Sequence, residues 1–404
     1  MSTAGAQQVL EHPALRRVVA VLCLTQITSW GILYYAFPVL APMITADMGW
    51  SATAVTAAFS AGQITAGLVG IYVGRRIDRL GPRFVMTAGS ILAIPAVICF
   101  ATASTYPVFL VGWIVAGAAM AAVLYPPAFV ALTHWAGPDR VRALTTLTLV
   151  GGLASTVFAP VAASLSADLS WRETYLVLLV FLALVTVPAH WFGLNHPWAA
   201  ERTRDKHRTN YMAVRGVLTS KAFTMLAIAM SMTAFSVFAV VVNLVSLFIE
   251  RGYSAGQGAV ALGLGGIGQF CGRLAYARFA ARTNATTRGV IIFAVVAAST
   301  GLLAAVPGPY AALVVVSMAV GVGRGMYTLI QATAVSDRWG TSHFGQLNGV
   351  LTAPIMVASA IAPFAGAAIA AATGSQARAF VVLACIAAAA AVLFLATTPR
   401  PRPT

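Results

Sequence analysis

Gly74-Arg75-Arg76-Ile77-Asp78-Arg79-Leu80-Gly81-Pro82-Arg83 is a short basic break between two apolar runs, 51–74 and 84–104. A membrane span needs about 20 mostly apolar residues, and each flanking run meets that length. Outward in both directions the pattern recurs. Apolar runs fall at 18–44, 51–74, 84–104, 107–131, 143–167, 174–194, 222–249, 256–280, 289–306, 310–334, 345–372 and 379–397, separated by short polar or Gly/Pro-bearing breaks. Of the 404 residues 59% are hydrophobic and only 9% are charged, too little charge for a soluble chain of this length. The reading is an all-α membrane protein with twelve transmembrane helices and no separate soluble domain.

The net charge of +15 is not spread evenly. If the first span leaves the cytoplasm, the inside segments hold 20 of the 25 Lys and Arg: Arg16–Arg17, Arg75–Arg83, Arg140–Arg142, Arg202–Lys221, Arg278–Arg288, Arg338 and Arg400–Arg402. Arg172, Arg251 and Arg378 lie outside, and Arg273 and Arg324 fall within apolar runs. This bias puts both termini in the cytoplasm. Anionic headgroups attract such loops, so the basic chain calls for the bilayer as partner and for no nucleic acid. Residues 1–17 are polar and the first run is too long for a signal-peptide core, so it reads as the first span. Cys23, Cys99, Cys271 and Cys385 have no ligand spacing and are expected to be small buried hydrophobes, without a metal or cofactor.

The one long break, 195–221, divides the chain almost in half and is read as a cytoplasmic linker between bundles at 1–194 and 222–404. The halves resemble each other. Gly49-Trp50-Ser51-Ala52 recurs as Gly252-Tyr253-Ser254-Ala255, and Ala159-Pro160 as Ala362-Pro363, both at an offset of 203. Gly62-Gln63 recurs as Gly268-Gln269 at 206. The expectation is a pair of six-helix pseudo-repeats.

The break quoted first resembles the loop-2/3 signature of the major facilitator superfamily: Gly, three residues, Asp, Arg, one residue, Gly, one residue, Arg. The resemblance implies two six-helix halves that carry a solute by alternating access around a midplane site. It also implies a gating role for Gly74, Asp78, Arg79, Gly81 and Arg83. Asp78 is the anion that would meet the start of the eleventh span, Thr341-Ser342-His343-Phe344, where unpaired N–H groups carry partial positive charge. The basic residues alone also serve topology. In the second half Asn284 stands where Asp78 would align, and Asp139-Arg140-Val141-Arg142-Ala143 resembles a further cytoplasmic signature. Two departures argue against a drug/proton antiporter. Trp113 stands four residues before Gly117, where many proton-coupled relatives have Arg, and the fifth run has Ala159-Pro160 in place of Gly-Pro.

Arg273 and Arg324 are the most informative single residues. An Arg at mid-span costs about 2.5–3.5 kcal/mol on insertion scales, and such residues face the bundle interior or a wet cavity. Arg273 shares a helix face with Gln269 and Tyr276, and Arg324 with Tyr327 and Gln331. All ten acidic residues lie at span ends or in loops, so an anionic substrate is an attractive partner for two planar cationic forks. The pair Gln269 and Arg273 resembles the monocarboxylate and oxalate/formate branch, in which an Arg in this span binds the substrate carboxylate. That branch's animal members have Asp where Gln269 stands, and its oxalate exchanger has a Lys in the eleventh span that this chain lacks. A structural reading stands beside each: snorkelling for Arg273, interhelical hydrogen bonding for Arg324.

The first run supplies Gln26, Ser29, Trp30, Gly31, Tyr34 and Tyr35 as candidate lining, with Gly31, Pro38 and Pro42 letting it bend. Ordinary packing is the competing reading for one of the tyrosines. Asn348 in the eleventh run is a further candidate, and Pro126-Pro127 can bend the fourth. His134 is the one histidine placed for proton handling, against the plainer reading of an interfacial side chain. The expectation is a monomeric secondary carrier for a small organic anion, monocarboxylate-like, working by proton symport or anion exchange in a bacterial inner membrane. The alternative is efflux of a drug or amphipathic metabolite. No nucleophile, metal cluster or phosphate loop suggests an enzyme.

Overall fold

The computed structural model describes residues 10–198, 211–340 and 344–397, without the side chains at 78, 141, 211–214 and 344–346. Among the described residues the regular structure is all helix. Eleven helices are long and apolar enough to cross a membrane: His12–Met48, Ala52–Ile77, Arg79–Ala101, Tyr106–Trp135, Arg142–Asp168, Trp171–Gly193, Lys221–Glu250, Ala285–Ala305, Tyr310–Thr333, Leu347–Thr373 and Gln376–Leu395. Ala255–Ala281 is a further helix of 27 residues at the place of the eighth apolar run. Its glycines, with Arg273 and Arg278, make it less apolar than its neighbours. The helices are numbered here as spans one to twelve in chain order. Contacts divide the chain into two units, Met1–Thr203 and Arg204–Thr404, described separately below. Residues 199–210 of the expected linker and the Thr341–His343 stretch lie outside the described residues.

In the first unit, Gly49 turns the chain with φ 67°, a conformation open to glycine. Ser51 then caps span two by accepting from the Ala54 N–H at 3.1 Å. Tyr106 at the start of span four donates its hydroxyl to the Ala54 carbonyl, 3.0 Å. The end of span one is tied to span six, where Trp171 Nε1 donates to Asp47 Oδ2 at 2.8 Å. Arg172 Nη1 donates to the carbonyls of Ala101 and Ala103.

The second unit repeats this end. Gly252 has φ 82°, and Ser254 caps span eight in a reciprocal box with Gln257. Tyr310 at the start of span ten donates to the Gln257 carbonyl, 3.1 Å. Glu250, at the Asp47 position of the repeat, accepts from Ser375 Oγ at 2.8 Å and from the Ala377 N–H at 3.2 Å. The sequence repeat is therefore a repeat of hydrogen bonds as well.

At the other end, Gly81 breaks the helix between spans two and three with φ 78° and ψ 167°. In the second unit Asn284, aligned with Asp78, caps span nine by accepting from the Thr287 N–H at 2.8 Å. Arg288 there pairs with Asp337. Arg338 donates to Thr397 Oγ1 at 2.8 Å. Burial, the largest influence, lowers the Arg338 pKa to about 10, with Asp337 opposing and Arg288 assisting, so it stays charged at neutral pH.

The expectation for the cysteines is corrected in part. Cys23 is buried, but Cys271 and Cys385 are exposed on the protein surface. An apolar run in a membrane bundle is apolar on its lipid side too, so hydrophobicity alone does not place a side chain inside.

Candidate functional site

In the second unit, spans eight and ten cross through glycine. A Cβ on Gly268 would overlap the Met318 carbonyl, one on Gly272 would come within 2.6 Å of the Val322 carbonyl, and one on Gly321 would overlap the Gly265 carbonyl. Gly325 meets the Gln269 carbonyl in the same way. Gly268 and Gly272, like Gly321 and Gly325, are four apart, the spacing that lets two helix backbones touch. This seam carries both in-span arginines.

Arg273 is 7% exposed and Arg324 6%. Arg273 Nη2 lies 3.5 Å from Thr328 Oγ1 on span ten, and that hydroxyl donates to the Arg324 carbonyl at 2.8 Å. Thr328 thus connects the two arginines' helices, and sequence reading missed it because a threonine in an apolar run carries no signal of its own. Arg324 also lines a small void between spans seven, eight and ten, with Val240, Leu244, Leu262 and Ser317. Gln269 is buried, and its Oε1 has no hydrogen-bond partner among the described residues. Asn348 Oδ1 is in the same condition. Tyr327 is placed otherwise than a lining residue would be. It sits in the core beside Phe293, 6.0 Å between centroids, and its hydroxyl donates to the Met230 carbonyl of span seven at 2.8 Å.

In the first unit span one contains a π-helical stretch, Gly31–Tyr35, between two α-helical parts. Gly31 has no room for a side chain, because a Cβ would overlap the Phe158 ring of span five. Such insertions often occur at functional positions. Span four is broken at Leu124, whose backbone is extended with ψ −164°. Pro127 has no N–H to give the Val123 carbonyl four residues back. Gln26 supplies the missing donor: its Nε2 lies 2.7 Å from that carbonyl. Trp30, Tyr34 and Tyr35 form an aromatic group, with Trp30 5.4 Å from Tyr34 and 5.2 Å from Tyr125. Both tyrosines are buried. His134 packs on Trp198 at 4.0 Å. Asn243 of span seven, a lone buried amide in an apolar run, is a residue that sequence reading could have found and did not. It donates to the Ala239 carbonyl at 2.9 Å and abuts Gly366 of span eleven.

The loop residues divide. Gly81 makes the turn and would bring a Cβ against Trp198 at 2.9 Å. Arg83 donates to the Trp191 carbonyl at 2.8 Å and to Asn195 Oδ1 at 2.7 Å, and its guanidinium lies 4.1 Å over the Trp191 ring. Arg79 is exposed. Gly74 has open space where a Cβ would stand. The Asp78 side chain lies outside the described ones.

A family model described as Major Facilitator Superfamily matches residues 22–333 and 286–404. The chain belongs to the Major Facilitator Superfamily. It is accordingly a multi-pass membrane transporter rather than an enzyme. The chain is 24% identical over 135 residues to the uncharacterized MFS-type transporter YcxA of Bacillus subtilis (strain 168), a match spanning 33% of each chain. Two solved structures share the fold. The nucleoside transporter NupG, in a mutant form, superposes with TM-score 0.79 at 12% identity, over 95% of this chain and 99% of that one. A bacterial homolog of the human lysosomal transporter Spinster gives 0.69 at 15% identity, over 96% and 98%.

Proposed function

We propose that the chain is a secondary carrier for a small monocarboxylate-like anion, with Arg273 binding the anionic group and Arg324 and Gln269 beside it. The observation that carries this reading is the placement of Arg273: a permanent cation, 7% exposed, about two-thirds of the way along a 27-residue helix expected to span the membrane. Charge at that depth marks a substrate or ion path. Its guanidinium geometry matches a carboxylate. Bundles at 1–194 and 222–404 move by alternating access, as proton symport or anion exchange. The charge bias supports an inner-membrane location with both termini in the cytoplasm. The loop Gly74–Arg83 is the gate, in which Arg83 fixes span three to span six.

A second reading, a neutral polar solute such as a nucleoside, is favoured by the rings around Trp30 and Tyr125. One experiment separates the two. Proteoliposomes are assayed for saturable uptake of radiolabelled pyruvate and formate and of uridine. Arg273→Ala is expected to abolish acid uptake while Arg282→Ala, an exposed control, retains it. Uridine uptake that survives Arg273→Ala, with no acid uptake in the native protein, supports the second reading and overturns the first.

A further inference from the structure

Span one offers one face whose hydrogen-bonding capacity is partly unused among the described residues. Gln26, Ser29 and Trp30 lie at helical spacing i, i+3 and i+4 within His12–Trp30. Gln26 is fully buried and Ser29 is 1% exposed. Gln26 Oε1, Ser29 Oγ and Trp30 Nε1 are all buried with no hydrogen-bond partner among the described residues. The neighbouring hydroxyls behave differently: Thr25 bonds the Leu22 carbonyl and Thr28 the Leu24 carbonyl, on their own helix. Leaving such groups unpaired costs about 1–3 kcal/mol each, and three on one face point to a polar visitor. The amide's orientation is dictated as well. Its nitrogen must meet the Val123 carbonyl, 2.7 Å away, so the oxygen is the end left over. That oxygen only accepts. A carboxylate has nothing to donate to it, whereas a hydroxyl does.

We propose that this face is a neutral polar subsite for a hydroxyl group of a small solute. Gln26 Oε1 accepts the hydroxyl proton, Ser29 Oγ and Trp30 Nε1 donate to its oxygen, and the Trp30 ring walls the group against Tyr125. The proposal rests on the reading of the chain as a carrier and adds one property of its cargo, a hydroxyl group.

The test measures dissociation constants of 2-hydroxypropanoate, propanoate and ribose by titration calorimetry on the purified full chain. The native protein is expected to bind the hydroxy acid about tenfold more tightly than the deoxy acid. In Ser29→Ala and in Gln26→Met that ratio falls toward one. A purely structural role would weaken both acids together and leave the ratio alone. Ser29→Ala keeps the cap on Val123, so it carries the test where Gln26→Met does not fold. Ribose binding that is sensitive to Ser29→Ala but not to Arg273→Ala supports the subsite and overturns the anion reading alone. A ratio near one in the native protein, a ratio unchanged in both variants, or no binding of any probe overturns the subsite.

Discussion

Spans two and four of the first unit and spans eight and ten of the second make the same crossing with different side chains. In both, glycine brings backbone against backbone: Gly117 on the Gly62 carbonyl in one, Gly321 on the Gly265 carbonyl in the other. The first crossing is surrounded by rings. Trp113 stacks on Phe100 at 4.6 Å and meets Phe37 and Phe59 edge-on at 5.2 and 5.0 Å. The second buries Arg273 and Arg324 around Thr328. Gln63 and Gln269 are shared, but Gln63 Nε2 donates to Met120 Sδ at 3.5 Å. Met120 occupies the place of Arg324 at the offset that relates Tyr106 to Tyr310. The repeat kept the small residues that set the crossing and exchanged the groups around it. Rings are at home in an apolar interior, whereas each Arg carries a cost of about 2.5–3.5 kcal/mol. Since the first unit builds the crossing without cations, the crossing itself does not require them.

That contrast can be broken at several strengths. The largest effect belongs to the glycines. Gly117→Val and Gly321→Val should each destabilise the protein by about 3 kcal/mol or more, because the new atoms meet backbone that has nowhere to go. Gly301→Ala, whose Cβ would stand 3.6 Å from Ala384, should change little. Thermal unfolding in detergent checks all three, and a tolerated Gly321→Val would show that the second crossing is looser than the first. Next comes Arg324→Met, which copies the first unit. It should hold or raise thermal stability while increasing the KM for acid uptake about tenfold. Lost stability with an unchanged KM would make Arg324 a structural donor. The smallest effect is at the caps: Ser51→Ala and Ser254→Ala should each lose about 1 kcal/mol, equally in the two units.

The sequence carried the spans well, because each is a continuous apolar run. It placed Gly49, Gly81 and Gly252 in the breaks between runs, and each has the positive φ that favours glycine. It flagged bends at Gly31 and Pro126-Pro127 without their form. The π-helical stretch depends on Phe158 entering beside Gly31, and the break in span four on a glutamine 97 residues away. Such pairings are tertiary facts with no local pattern. Burial was the least accessible property. Cys271 and Arg273 are two residues apart, one exposed and one buried, yet both sit in the same apolar run. Tyr327 reads as a lining residue from its spacing to Arg324, but a neighbouring helix takes its hydroxyl.

The central claim is that the cation at position 273 recognises negative charge. It is tested most directly by competition against labelled pyruvate uptake in proteoliposomes, using unlabelled pyruvate and its uncharged amide. The account predicts that the native protein is inhibited by the acid at least tenfold better than by the amide, and that Arg273→Gln erases the difference. Equal inhibition by acid and amide in the native protein would contradict it.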